Sequence, residues 1–315
     1  MLYKASAPGS LMLLGEYAVL HDKTAIVCAI DKRIEVTLSP RKDEHININS
    51  SLGHYCTSIN AVVTEKPFEF VLNALKAKKL PSGCDITIHA EFSSDIGLGS
   101  SAAVSVALVT VLNQWLGQTH LTKEQLWQDV KAVILKTQGK GSGADIAASI
   151  YGGVIAFRHN PLFVTPLKQL PPICAVYSGK KTTTMKAIEI VKERYGKNPQ
   201  QFEELFDTVD YLSHQAVDAI NHKDWESLGH LFNEAQTLMD QLGVNNAILK
   251  DIIQTLRQQP HVLGAKISGS GLGDCAIGLG QVDDGIFPTD DEQKKLGVKQ
   301  IPIVLSTKGV IASEH

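Results

Sequence analysis

The sequence predicts a two-domain α/β (α+β) protein. Three observations carry that expectation. At 315 residues the chain is long for one hydrophobic core. Twice it runs from an apolar strand through a polar loop of Gly, Ser, Thr or Lys into a helix start, after Ala90 and again after Tyr177. Between the two, Pro161, Pro166, Pro171 and Pro172 crowd one stretch. The boundary is placed there, giving domains 1–168 and 169–315.

In chain order, Leu2 to Ala7 reads as a short strand and Ala7-Pro8-Gly9-Ser10 as a turn. Leu11 to Leu14 is apolar, Ala25 to Ile30 forms a second strand, and Ile34, Val36 and Leu38 alternate in a third. Glu16 stands in apolar surroundings. It is either an exposed loop acid or a buried carboxylate that needs a partner or a ligand hydroxyl. Ile46 and Ile48 mark a further strand, and Pro67 opens a helix over Phe68 to Lys79 whose basic end suits the dipole.

The stretch from Cys84 to Leu116 organises the rest. Ile86, Ile88 and Ala90 alternate with polar residues as in a half-buried strand. Asp95-Ile96-Gly97-Leu98-Gly99-Ser100-Ser101 follows, and from Ala102 the chain is apolar almost all round, a buried helix ended by Gly117. A glycine turn at a helix head is either a tight connection or an anion site. In the second case free N–H groups and the positive end of the dipole converge on a phosphate. Thr122 and Gln125 have capping-box spacing for the next helix. Asp145, after Gly139-Lys140-Gly141-Ser142-Gly143-Ala144, is either a helix cap or a carboxylate held at a glycine-lined site to accept a proton. Val154 to Phe157 and Ile173 to Tyr177 are strands, and long helices fill 201–259. Lys266 to Asp274 is a third glycine-rich loop, Asp283 to Lys295 an acidic surface insertion, and Ile301 to Leu305 with Val310-Ile311 the closing strands.

Composition narrows the function classes. A net charge of −3 gives no reason to expect nucleic acid or an anionic membrane as partner. The five cysteines are scattered with no CxxC pair, which fits reduced thiols in a cytoplasmic protein. Neither HExxH nor similar zinc spacing occurs, and neither a signal-like leader nor an apolar run of spanning length is seen. GxxxxGK[ST] is absent, so this is not a P-loop enzyme. Gly97-Leu98-Gly99-Ser100-Ser101-Ala102 superficially matches a dinucleotide fingerprint, but no strand end with an acid lies about 20 residues on. Gly99 to Ala103 loosely matches a nucleophile elbow, a reading that leaves the other two loops unexplained.

The three loops taken together resemble the ordered motifs of the GHMP kinases. The matching residues are Ala7-Pro8-Gly9 with Gly15-Glu16-Tyr17-Ala18-Val19, Gly97 to Ala103, and Lys266-Ile267-Ser268-Gly269-Ser270-Gly271. The resemblance runs from about Lys4 to Leu279. It implies a fold with an N-terminal mixed βα domain, a C-terminal ferredoxin-like α+β domain, and ATP with Mg²⁺ between them. Within the family, Phe232 to Gln236, Leu242-Gly243-Val244, Leu263 to Lys266 and Ser178 to Thr183 resemble the mevalonate kinases.

Carried over, the resemblance implies that Gly97, Leu98, Gly99, Ser100, Ser101 and Ala102 cradle the ATP phosphates, with Ser101 near Mg²⁺. Gly269, Ser270 and Gly271 would close over the site. Asp145 would take the acceptor proton, with Glu16 and Thr183 on the acceptor side. The acceptor would be a small molecule, mevalonate or phosphomevalonate; a homodimer is implied by the family alone. Several positions depart from the pattern. Ser10 stands where a Lys is usual, so Lys4, Lys140, Lys180 or Lys181 would have to replace that cation. Tyr17 replaces a His, and Gly141 to Asp145 looks more like phosphomevalonate kinases. Val130 to Gly143 holds no carboxylate for Mg²⁺, and Leu272 and Asp274 alter the third loop. The expected activity is transfer of the γ-phosphoryl group to the primary hydroxyl of mevalonate. The alternatives are phosphomevalonate as acceptor, or a nucleotide-binding homologue without mevalonate turnover.

Overall fold

A computed structural model describes residues 1–182, 184–195 and 198–314 of the chain. The first part runs β1 (Tyr3–Leu14), β2 (Ala25–Pro40), β3 (His45–Ser50), β4 (Gly53–Ser58), α1 (Glu69–Lys76), β5 (Cys84–Ala90), α2 (Ser100–Trp115), α3 (Lys123–Gln138), α4 (Ala144–Tyr151), β6 (Val154–His159) and β7 (Leu162–Pro166). The second runs β8 (Ile173–Tyr177), α5 (Thr184–Tyr195), α6 (Pro199–His222), α7 (Trp225–Leu242), α8 (Ala247–Arg257), β9 (Val262–Ser268), β10 (Cys275–Gly280), α9 (Asp291–Leu296), β11 (Lys299–Ile301) and β12 (Ile311–Glu314). One sheet has the order β12-β1-β2-β5-β3-β4, with β6 on β2 and β7 on β6; the other has the order β11-β8-β10-β9. The pairs are antiparallel except β3 with β5.

The helix that the sequence marks as buried is the centre of the first layer. Val106, Ala107, Leu108, Val111 and Leu112 of α2 are fully buried, and the helix packs on β1 and β2 with α1, α3 and α4 beside it. Burying each of its larger side chains contributes roughly 1.5–3 kcal/mol. This anchors the helix head, and hence the glycine loop before it. Thr122 and Gln125 form the expected reciprocal capping box on α3.

Five local expectations change. Ala7 to Ser10 is no turn: it lies inside β1, which keeps pairing with β2 through a register shift between Pro8 and Ser10. Proline lacks the N–H of a regular ladder, so a bulge there costs little and swings Ser10 toward the loop before α2. The strands expected at 25–30 and 34–38 are one long β2. The helix after Pro67 is shorter, ending at Lys76. In the acidic stretch after Asp283, Phe287 and Gln293 are buried, and α9 is capped by Asp290, whose carboxylate accepts from the Gln293 amide at 2.8 Å. The chain end leaves the second sheet: β12 pairs with β1, and Leu305 bridges to Ile30.

Candidate active site

Gly99 is the N-cap of α2, in the left-handed region at φ 67°, and no side chain caps this end. The first amides of a buried helix therefore lack intrahelical acceptors, at the positive end of its dipole. The loop carrying them is pinned from the first motif. The Ser10 amide donates to the Leu98 carbonyl at 3.1 Å. A Cβ on Gly9 would come within 2.7 Å of that same carbonyl oxygen, and one on Gly99 within 2.1 Å of Ser10 Oγ. The glycines are needed because two backbones and a serine occupy the space a side chain would take.

Ser10 also reaches the candidate base. Its hydroxyl donates to Asp145 Oδ1 at 2.9 Å. Asp145 is not the helix cap: Gly143 holds that position, at φ 87°, and Asp145 lies in the first turn of α4, facing β1. Trp127 Nε1 donates to the Gly143 carbonyl at 2.9 Å and Lys131 Nζ to the Gly141 carbonyl, so α3 braces the loop from behind. Asp145 is solvent-exposed as a residue, yet protein crowds its carboxyl group. Loss of water around it pushes its carboxyl above the usual range, and the Ser10 hydroxyl partly opposes this. A more basic carboxylate is a better proton acceptor.

The third loop closes the other side. Leu272 and Asp274 both stand at φ 60°, a region that costs a non-glycine residue. Tyr17 Oη donates to the Ser270 carbonyl, the Leu272 amide to Val244 O at 2.7 Å, and Thr182 Oγ1 to Leu272 O at 2.8 Å. Cys275 Sγ donates to Ile96 O at 3.0 Å. A Cβ on Gly97 would lie 2.6 Å from Asp274 Cβ, so the second and third motifs touch. Burial raises the Asp274 carboxyl to about 6; Lys181 opposes the rise and Asp145 adds to it. Lys181 crosses to the loop, donating to Ser94 O at 2.7 Å and standing 3.6 Å from Asp95 Oδ1.

The structure thus brings Gly97, Leu98, Gly99, Ser100, Ser101 and Ala102 to one helix head, with Asp145 joined to it through Ser10. Gly269, Ser270 and Gly271 lie in the facing loop. Glu16 is 4% exposed and ion-paired with Lys266, which is fully buried and also donates to Ile267 O. Its carboxylate is thereby committed to a partner on β9. Thr183 lies outside the described residues. Of the cations considered for the place of Ser10, Lys4 pairs with Glu35 at 2.8 Å. Lys140 lies near Lys192 and Glu189, and it is Lys181 that reaches the loop. Sequence reasoning placed Lys266 in the third motif but missed its pairing with Glu16, although it is a lone charge inside the apolar run from Val262 to Ile267, and it missed the bracing pair Trp127 and Lys131. The first had a readable signal; the second did not.

Among the described residues no three His, Cys, Asp or Glu side chains gather as a metal cage. Mg²⁺ commonly takes one or two carboxylates and completes its shell with phosphate oxygens and water. Asp274 Oδ1, buried with no hydrogen-bond partner, is a donor of the required kind.

Two family profiles match the chain: GHMP kinases N terminal domain over residues 65–153, and GHMP kinases C terminal over 216–296. The mevalonate kinase of Methanothermobacter thermautotrophicus is 32% identical over 99% of this chain and 100% of its own. That of Archaeoglobus fulgidus is 31% identical over 94% and 99%. In fold, the chain superposes on the Methanococcus jannaschii mevalonate kinase crystal structure with a TM-score of 0.78, covering 97% of this chain and 98% of that one at 21% identity. The Lin0012 protein from Listeria innocua gives a TM-score of 0.83, covering both chains fully at 22% identity. The chain belongs to the GHMP kinase family. It is a phosphotransferase acting on an alcohol acceptor, a mevalonate kinase-like member of a family that uses ATP and typically Mg²⁺.

Proposed function

We propose that this enzyme transfers the γ-phosphoryl group of ATP to the primary hydroxyl of mevalonate. The observation that carries the reading is the Ser10–Asp145 hydrogen bond, which fixes a basic carboxylate beside the uncapped head of α2. The amides of Gly99 to Ala102 and the helix dipole would hold the polyphosphate, with the Ser100 and Ser101 hydroxyls beside it. Asp145 Oδ2 would accept the proton of the attacking hydroxyl while Ser10 holds the carboxylate by Oδ1. Mg²⁺, held by Ser101 and a site carboxylate, would neutralise charge on the phosphates. Phosphoryl transfer asks for positioning and charge compensation more than for covalent chemistry, and these groups would supply both. Full-length relatives at about 30% identity that are mevalonate kinases support the choice of acceptor.

Lys181 favours a second reading. A half-exposed ammonium at the rim of the loop would suit an acceptor that already bears a phosphate, such as phosphomevalonate. ADP release measured with purified enzyme, Mg²⁺ and ATP against each acceptor separates the two. Turnover with mevalonate alone supports the first; turnover with phosphomevalonate alone replaces it.

A further inference from the structure

We propose that Asp274 is a further carboxylate of the phosphoryl-transfer site, through which the protein holds the divalent cation that accompanies the nucleotide. The inference rests on the phosphoryl-transfer reading above and commits to one residue for the carboxylate that reading leaves unspecified.

Two independent features of Asp274 point the same way. Its Oδ1 is sealed from solvent and accepts no hydrogen bond. Buried acceptors are normally satisfied, so an orphan beside a ligand site marks a place a ligand fills. Its backbone stands at φ 60°, a region that glycine adopts without cost and that Leu272 of the same loop also occupies. Its position is held from both sides, the Asp274 amide donating to Lys180 O at 2.7 Å and the Ser178 amide to Asp274 O at 2.9 Å. The side chain is thereby set against Gly97, its Oδ1 3.1 Å from where a Cβ on that glycine would stand.

The surrounding charges explain why this carboxylate would be the one used. Asp145 already accepts from Ser10 and is kept for the proton. Asp95 lies at the exposed rim with Lys181 beside it. From Val130 to Gln138, α3 carries only the charges of Lys131 and Lys136, and the acid of α3 that reaches α4, Glu124, accepts from Tyr151 Oη at the opposite end of α4 from Asp145. A polyphosphate laid on the Gly97 to Ser101 loop would add negative charge next to Asp274. A divalent cation held by this carboxylate would offset that charge and give Oδ1 a partner.

The test compares wild type with Asp274→Asn, since Asn tolerates the left-handed backbone. Mn²⁺ is titrated by electron paramagnetic resonance in the presence of a non-hydrolysable ATP analogue. The analogue and ADP are also titrated with EDTA present. Asp274→Asn is expected to weaken Mn²⁺ binding in the ternary complex by about tenfold or more. Metal-free nucleotide should bind it as well as wild type or better. Asp274→Gly, which relaxes the backbone, should show the same loss with an unchanged or higher melting temperature. Wild-type Mn²⁺ affinity in either variant would overturn the role of Asp274 alone. Failure of the wild-type protein to bind any nucleotide would overturn the phosphoryl-transfer reading and this inference with it.

Discussion

Replacing Glu16 with Gln tests a buried ion pair between distant parts of the chain. Glu16 and Lys266 are 250 residues apart in sequence and form an ion pair with side chains 4% and 0% exposed. Gln keeps the shape but leaves the Lys266 ammonium buried without a counter-charge. Breaking one side of such a pair costs about 3–5 kcal/mol. At about 2–4 °C per kcal/mol the melting temperature should fall on the order of 10 °C. Urea unfolding followed by circular dichroism at neutral pH reads the loss directly. The pH dependence carries a second signature. Burial already holds the Lys266 pKa below 10.5, and Glu16 opposes that lowering. Without Glu16 the folded value drops further, the unfolded chain binds more protons, and stability must rise with pH on the alkaline side. The double variant Glu16→Leu/Lys266→Met, with no charge left to bury, should recover most of the lost stability. Glu16→Gln within about 1 kcal/mol of wild type would refute the reasoning, since a buried ion pair cannot be broken that cheaply. The double variant also divides two roles for Glu16. Recovery of turnover together with stability assigns it to the domain seam. Recovered stability without turnover assigns it to the acceptor.

Four further outcomes are expected. Asp145→Asn should lower turnover by about three orders of magnitude with little change in nucleotide affinity, as read by ADP release and calorimetry. Because Asp145 must be ionised to accept a proton and its pKa is raised, kcat/KM should fall on acidification from a point above the ordinary carboxylate range. Ser10→Ala removes the hydrogen bond that lowers this pKa, so the limb of the pH–rate profile should move to higher pH. Asp274, raised from 3.8 to about 6, binds its proton more tightly in the folded chain. Its stabilising share is full below 3.8 and lost as pH rises through about 6, so Asp274→Asn should flatten the stability–pH curve between those values. Gly143→Ala places a Cβ 2.5 Å from Trp127 Cζ2 at φ +87°. It should cost about 2–4 kcal/mol in chemical denaturation, and turnover should fall as Asp145 shifts.

What the chain reveals by itself is local. The burial of α2 follows from a run that is apolar almost all round, broken between Ala102 and Asn113 only by Ser105 and Thr110, and the α3 start from the spacing of Thr122 and Gln125, because helix periodicity and capping act within a few residues. The loop at Gly97 was readable for the same reason: glycines and serines before an apolar helix leave amides without acceptors. Tertiary structure decided everything that depends on which distant segments meet. Ala7 to Ser10 looks like a turn until β2 pairs on both sides of Pro8 and Leu98 takes the Ser10 amide. Asp145 reads equally as a helix cap until Gly143 takes that position and Ser10 takes the carboxylate. Glu16 had no visible partner, because Lys266 enters its surroundings only when β9 packs beside β1, and Asp274 meets Gly97 only when the two layers close. Patterns of spacing record the cost of exposing or capping a short segment. The pairing of buried charges and loops records the packing of the whole chain, which no window of sequence contains.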